Sequence, residues 1–143
     1  VSLRPRTLDL GLLVLRVSVG GFMLYGHGWG KLTKLLDGGN PKFPDPLGIG
    51  AELSFACAAL GESVVAGAVV LGLLSRLNTA ALCFTMAVAA FLQHGGDPFA
   101  DREKALLYFM GCAALLLTGP GRYTLQKKLF KEPANPKLRW LLE

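Results

Sequence analysis

Residues 53–74 read LSFACAALGESVVAGAVVLGLL, an apolar run long enough as a helix to cross a bilayer core of roughly 30 Å. Its only ionisable side chain, Glu62, falls almost at the centre. A mid-span charge costs about 2.5–3.5 kcal/mol to insert, so Glu62 must face protein or a polar cavity rather than lipid. The identity of the group facing it is the first question the sequence poses.

The rest of the chain agrees with a membrane setting. Of 143 residues, 52% are hydrophobic and 17% charged, with a mean hydropathy of +0.43; a soluble domain carries about a quarter charged residues. The net charge of +5 comes from cations lying mostly outside the apolar runs, not interleaved with aromatics. It therefore reads as membrane-flanking charge and excludes nucleic acid as a partner.

Reading outward, the pattern predicts an all-α integral membrane protein: a single-domain, four-helix antiparallel transmembrane bundle over 1–143. The helices are expected at about 8–31, 50–75, 77–94 and 102–119, with a basic C-terminal tail 120–143 lying on the membrane surface or against a partner. In the first span Gly26 and Gly30 have GxxxG spacing, as Ser63 and Gly67 have small-xxx-small spacing in the second; both let backbones approach. KLTKLLDGGNPKFPDPLGIG, residues 31–50, reads as a loop because GGNP and PDP forbid a regular helix. The uncharged, alanine-rich third span reads as an interior or close-packing helix, Asp101 as a cap for the fourth, and GPG at 119–121 as its stop. Cys57, Cys83 and Cys112 lie within apolar segments without a CxxC and read as small buried hydrophobes. The first run carries Arg16 and no small-residue cleavage site, so it reads as a span rather than a cleavable leader.

An even number of spans puts both termini on one side. Arg4, Arg6, Arg76, Arg122, Lys127, Lys128, Lys131, Lys137 and Arg139 flank that side; Lys31, Lys34, Lys42, Arg102 and Lys104 flank the other. The positive-inside rule then makes both termini cytoplasmic in a multi-pass protein of the cell inner membrane.

Two groups carry candidate chemistry. Arg16 and His27, eleven residues apart, return to nearly the same helix face. Symmetrically placed antiparallel helices put Arg16 and Glu62 roughly 8 Å apart in depth, so an ion pair is expected, acting as a register clamp or lining a polar pocket. Towards the opposite end His27, Lys31, Glu52, His94 and Glu103 gather from all four helices. Singly each is ordinary; together they can bind the polar head of an amphiphile or relay protons. The two histidines lack ExxH or HxxxH spacing, which disfavours haem or a metal. No phosphate loop or nucleophile elbow is present.

Three stretches, LRVSVGGFMLYGHGWGKL at 15–32, GESVVAGAVVLGLLSR at 61–76 and DREKALLYFMGCAALLLTGPGRYTL at 101–125, occur in an order that resembles the DoxX family. The resemblance covers roughly 11–125 and rests on the combination of HGxxKL, a mid-span Glu before a glycine-rich run, and GPGR. It implies a four-helix membrane protein associated with quinone-linked oxidoreductases, the family's namesake being similar to a thiosulfate:quinone oxidoreductase subunit. It also singles out His27, Lys31, Glu62, Arg76, Glu103 and Arg122. Gln126 departs from the pattern, standing where similar members carry an acid.

The combined expectation is a small membrane subunit of a quinone-linked oxidoreductase or respiratory assembly. Its quinone site would draw on Arg16, His27, Lys31, Glu52, Glu62, His94 and Glu103. The implied partners are membrane lipids and a larger complex or redox subunits, since the chain shows no electron carrier. The alternatives are a non-catalytic scaffold or assembly subunit, and a small-solute or lipid carrier.

Overall fold

A computed structural model gives the conformation of residues 5–40, 42–130, 135, 137, 138 and 140, all helix or turn with no strand among the described residues. The basic positions Arg4, Lys131 and Arg139 lie outside them. Three helical runs are long and apolar enough to cross a membrane: Arg6–Leu36, Ala51–Leu71 and Ser75–Gln93. With the family assigned below, this makes a multi-pass membrane protein.

The first run is helix α1 (Arg6–Met23), a π-helical turn (Leu24–Gly28) and α2 (Trp29–Leu36). It continues five residues past the expected start of the loop because KLTKLL holds no breaker; the chain turns only at Gly38 and Gly39, both with positive φ. The second run is α3 (Ala51–Leu60), a π-turn (Gly61–Val65) and α4 (Ala66–Leu71), and the third is α5 (Ser75–Ala87) with a π-turn (Val88–Gln93). Helix α6 (Phe99–Thr118) begins after Pro98, with Asp101 in its first turn rather than at the cap. Its opening turns hold Asp101, Arg102, Glu103 and Lys104, leaving an apolar stretch of roughly 20 Å, shorter than the hydrocarbon core. A short α7 (Leu125–Leu129) follows, capped by the Thr124 hydroxyl.

Helix α1 packs on α4 and α2 on α3, so the first two runs are antiparallel; α5 packs on α4 and α6, and α6 returns to α1. The shared core holds Leu12, Val19, Met23, Val69, Leu82, Met86, Cys112 and Leu115. In lipid such contacts hold helices together by dispersion and close approach, because burial from hydrocarbon brings no hydrophobic gain.

The glycines that permit close approach are not the expected pair. Gly26 and Gly30 face open space, whereas a Cβ at Gly20 would stand 2.7 Å from the Ala66 carbonyl, and one at Gly28 would collide with the Glu62 backbone. The third run is close-packing rather than interior: α5 lies along α6 and against α4 and the Gly61–Val65 turn, while Ala80, Ala81 and Phe84 on its other face are exposed. Cys57 is exposed too, while Cys83 and Cys112 are buried. Val14, Phe22, Val64, Phe84, Leu107 and Leu117 complete an apolar exterior suited to lipid.

Candidate functional site

The register of the first two runs decides which charges meet. Gly28 lies against the Glu62 backbone where the two π-turns touch. Each π-turn inserts a residue into the α-helical repeat, a distortion that recurs at functional sites and re-aims the side chains around it. Here the side chains carried by the paired turns include His27 and Glu62.

One turn beyond Gly28, Lys31 reaches across to Glu62. Its Nζ donates to Oε1 at 2.6 Å and to Oε2 at 2.5 Å, with the Glu62 side chain 7% exposed and that of Lys31 28% exposed. Both carboxylate oxygens are thereby satisfied by one cation, the arrangement that offsets the desolvation of a buried acid. His27 lies within electrostatic range of Glu62, Lys31 and Lys104. Its ring stands edge-on to Tyr108 of α6, centroids 6.0 Å apart. Among the described residues the His27 ring has no hydrogen-bond partner. The result is one carboxylate, one ammonium and one imidazole, brought together from the first two runs and walled by α6.

The ion pair expected between Arg16 and Glu62 does not form. Arg16 is twelve residues from Gly28, about 18 Å along the helix, so it lies level with the far end of the second run rather than with Glu62. There, 3% exposed, its guanidinium donates from Nε to the Val70 carbonyl at 3.2 Å. Nη1 donates to the Pro120 carbonyl at 2.9 Å and Nη2 to the Tyr123 carbonyl at 2.6 Å. The acceptors are a helix C-terminus and the GPG turn, whose backbone dipoles solvate a cation without a carboxylate. Gly72 makes room, since a Cβ there would stand 2.9 Å from Nη1.

Asp9, which sequence reading missed, belongs to the same end. Buried at 2% exposure, its Oδ1 accepts from the Arg122 backbone N–H at 3.1 Å. Its Oδ2 lies 3.3 Å from Arg122 Nε, an ion contact without hydrogen-bond alignment. An acid in the apolar run RTLDLGLL carried the same signal that singled out Glu62. Arg76 donates to the Leu116 carbonyl and lies under the Trp140 ring, 4.5 Å from its centroid. Gln126, the departure from the family's acid, still supplies an acceptor: its Oε1 takes the Leu74 backbone N–H at 2.6 Å. That bond holds the one non-glycine residue with positive φ among the described residues.

The remaining candidates do not join the Lys31–Glu62 group. Glu52 and Glu103 are exposed near the starts of α3 and α6. His94 pairs with Asp97, Nδ1 to Oδ2 at 2.7 Å, in the turn ahead of α6. Among the described residues no three His, Cys, Asp or Glu side chains are placed to hold a metal ion.

A comparison with protein families matches the chain to DoxX over residues 11–95, more than half its length and including Arg16, His27, Lys31, Glu62 and Arg76. No curated protein and no solved structure matches it.

Proposed function

Since the chain belongs to the DoxX family, we propose that it is a small membrane subunit of a quinone-linked oxidoreductase assembly and that His27, Lys31 and Glu62 receive a quinone head. The observation carrying this reading is the Lys31–Glu62 pair, its carboxylate buried, within electrostatic range of His27. Reducing a quinone to a quinol takes up two electrons and two protons, so a site needs donors for the two carbonyl oxygens and an exchangeable proton store. Lys31 and His27 supply donors, and Glu62 supplies a carboxylate able to take and return a proton. Tyr108 adds an aromatic wall. In this reading the electrons are supplied by a partner subunit or a bound cofactor.

In this reading α6 is the fourth span, short but packed along α5 and α1, and the termini lie on the cytoplasmic side of the inner membrane. Among the described residues six cations, Arg6, Arg76, Arg122, Lys127, Lys128 and Lys137, flank that side against Lys31, Lys34, Lys42, Arg102 and Lys104 on the other. A cysteine at position 135, in a background without the three native thiols, should resist external labelling.

The central test is quinone content after gentle detergent extraction. Lys31→Gln and Glu62→Gln should each lower bound quinone per protein by about tenfold, the loss of one charge-assisted contact. Quinone content equal to wild type in both would leave the scaffold reading. That reading draws support from the other end, where Arg16 and Asp9 of α1 bind the backbone at Pro120 and Arg122, and Arg76 of α5 binds the Leu116 carbonyl of α6.

A further inference from the structure

The segment 42–50 does more than connect the first two runs. Phe43 turns back onto the protein, its ring 5.2 Å from that of the buried Phe55 in an edge-on contact. The same ring stands 5.9 Å from Lys31 Nζ. The Lys31 ammonium therefore contacts both the Glu62 carboxylate and the Phe43 ring. A cation against an aromatic face is a favourable contact, more so where water is scarce.

Two residues on, Asp45 fastens the segment to the start of α3. Its Oδ1 accepts from Ile49 N at 3.0 Å and from the Ser54 hydroxyl at 2.7 Å, and its Oδ2 accepts from Gly50 N at 2.8 Å. A carboxylate at a helix N-terminus is held by both hydrogen bonds and the dipole. Gly38 and Gly39 before the segment, and Gly48 and Gly50 at its end, all have positive φ. No atom stands within 4 Å of where their Cβ would be. The segment is thus fixed at one carboxylate, with positive-φ glycines before it and within the turn that Asp45 holds.

We propose that Lys31 and Phe55 form a subsite for a flat ring, and that Phe43 occupies it as an internal stand-in until a ligand ring displaces it. The ligand class is a planar quinonoid or aromatic head, which offers a π-face for the ammonium and an edge for Phe55. Asp45 sets how often the subsite is vacated. The inference rests on the quinone reading for the ligand's identity but not for the cover itself, and the test separates the two.

Reactivity of Glu62 towards a water-soluble carbodiimide, with glycine ethyl ester as nucleophile, reports the cover without any quinone. The products, an amide to the added amine or to Lys31, are read together by peptide mass spectrometry. Phe43→Ala and Asp45→Asn should each raise the rate by about tenfold, with Ser54→Ala giving a smaller rise. Binding of 2,3-dimethoxy-5-methyl-1,4-benzoquinone should tighten in Phe43→Ala, because a competing closed state lowers apparent affinity in proportion to its population. Phe43→Leu, which keeps bulk without the π-face, guards against loss of folding; it should label between wild type and Phe43→Ala. Wild-type labelling rates in both Phe43→Ala and Asp45→Asn, or weaker quinone binding in a folded Phe43→Ala, would overturn the proposal. Faster labelling with no quinone binding in any form would instead sink the quinone reading and leave the cover standing.

Discussion

The two ends of the bundle each hold a cation, and they satisfy it in opposite ways. Arg16 is solvated by three backbone carbonyls, whereas Lys31 faces a carboxylate. Carbonyls have fixed dipoles and exchange no proton near neutral pH. A carboxylate is a base, so of these two cations only Lys31 has a partner with acid–base chemistry, while the carboxylate at the other end, Asp9, faces Arg122 instead. The guanidinium fork also suits the first role, since one planar group can reach Val70, Pro120 and Tyr123 together. The lesson is that a buried charge marks chemistry only when its partner can titrate.

The strongest way to break this contrast is at its structural end. Arg16→Met should orphan three carbonyls and lower stability by about 3 kcal/mol or more, and Arg16→Lys should recover little of it. Resistance to unfolding in mixed micelles measures both, and near-wild-type stability of the methionine variant would remove the clamp. Gly28→Ala comes next: its Cβ meets the Glu62 backbone rather than a yielding side chain, so the first two runs must separate at a cost of about 1–3 kcal/mol. Its signature is disturbance of Lys31 and Glu62 while Arg16 stays in place, visible as selective loss of amide protection around 24–31.

Glu62→Gln should cost about 1–2 kcal/mol, less than a fully buried pair because Lys31 can swing its head towards water. Combined with Lys31→Met it should show clear coupling, while combined with Arg16→Met the losses should add within about 0.5 kcal/mol. Coupling in the second cycle would restore the pair that the sequence led one to expect. The smallest effect belongs to Asp45. Hydrogen bonds from the Ser54 hydroxyl and the Gly50 backbone hold its carboxyl below its ordinary value. Its fastening of segment 42–50 is therefore present above the usual aspartate range and lost only as pH falls through the depressed value. Hydrogen exchange across 42–50 should rise in acid while that of the Arg16 end stays level.

The apolar periodicity made the three long runs legible, and the placement of Glu62 made its need for a partner legible. The partner itself was not. Which residue of the first run faces Glu62 depends on where backbones touch, and that follows from Gly28 and two π-turns, which leave no mark in hydropathy. HGWGKL contained both His27 and Lys31, yet spacing alone could not separate a pairing lysine from one that reaches for water. Arg16 was misjudged for a related reason: its acceptors are main-chain carbonyls, to which side-chain patterns are blind. Asp9 was open to the logic applied to Glu62, and its place near the start of the first run hid it.

The three π-helical turns have a consequence for how the gene can vary. Each holds one residue more than an α-helical repeat, so one residue can be removed there and the helix close into regular geometry with its flanking turns near their original phase, whereas a deletion in an α-helical stretch rotates everything beyond it by about 100°. A deletion within Arg6–Met23 would carry Lys31 off the face that meets Glu62, and one within Ala51–Leu60 would turn Val69 out of the core. Substitutions on the lipid-facing surface can drift widely among apolar residues, while length is held fixed in the α-helical stretches and can give by one residue in these short windows. Mutational scanning that includes single-residue deletions would show the windows as narrow bands of tolerance inside helices that otherwise reject deletion.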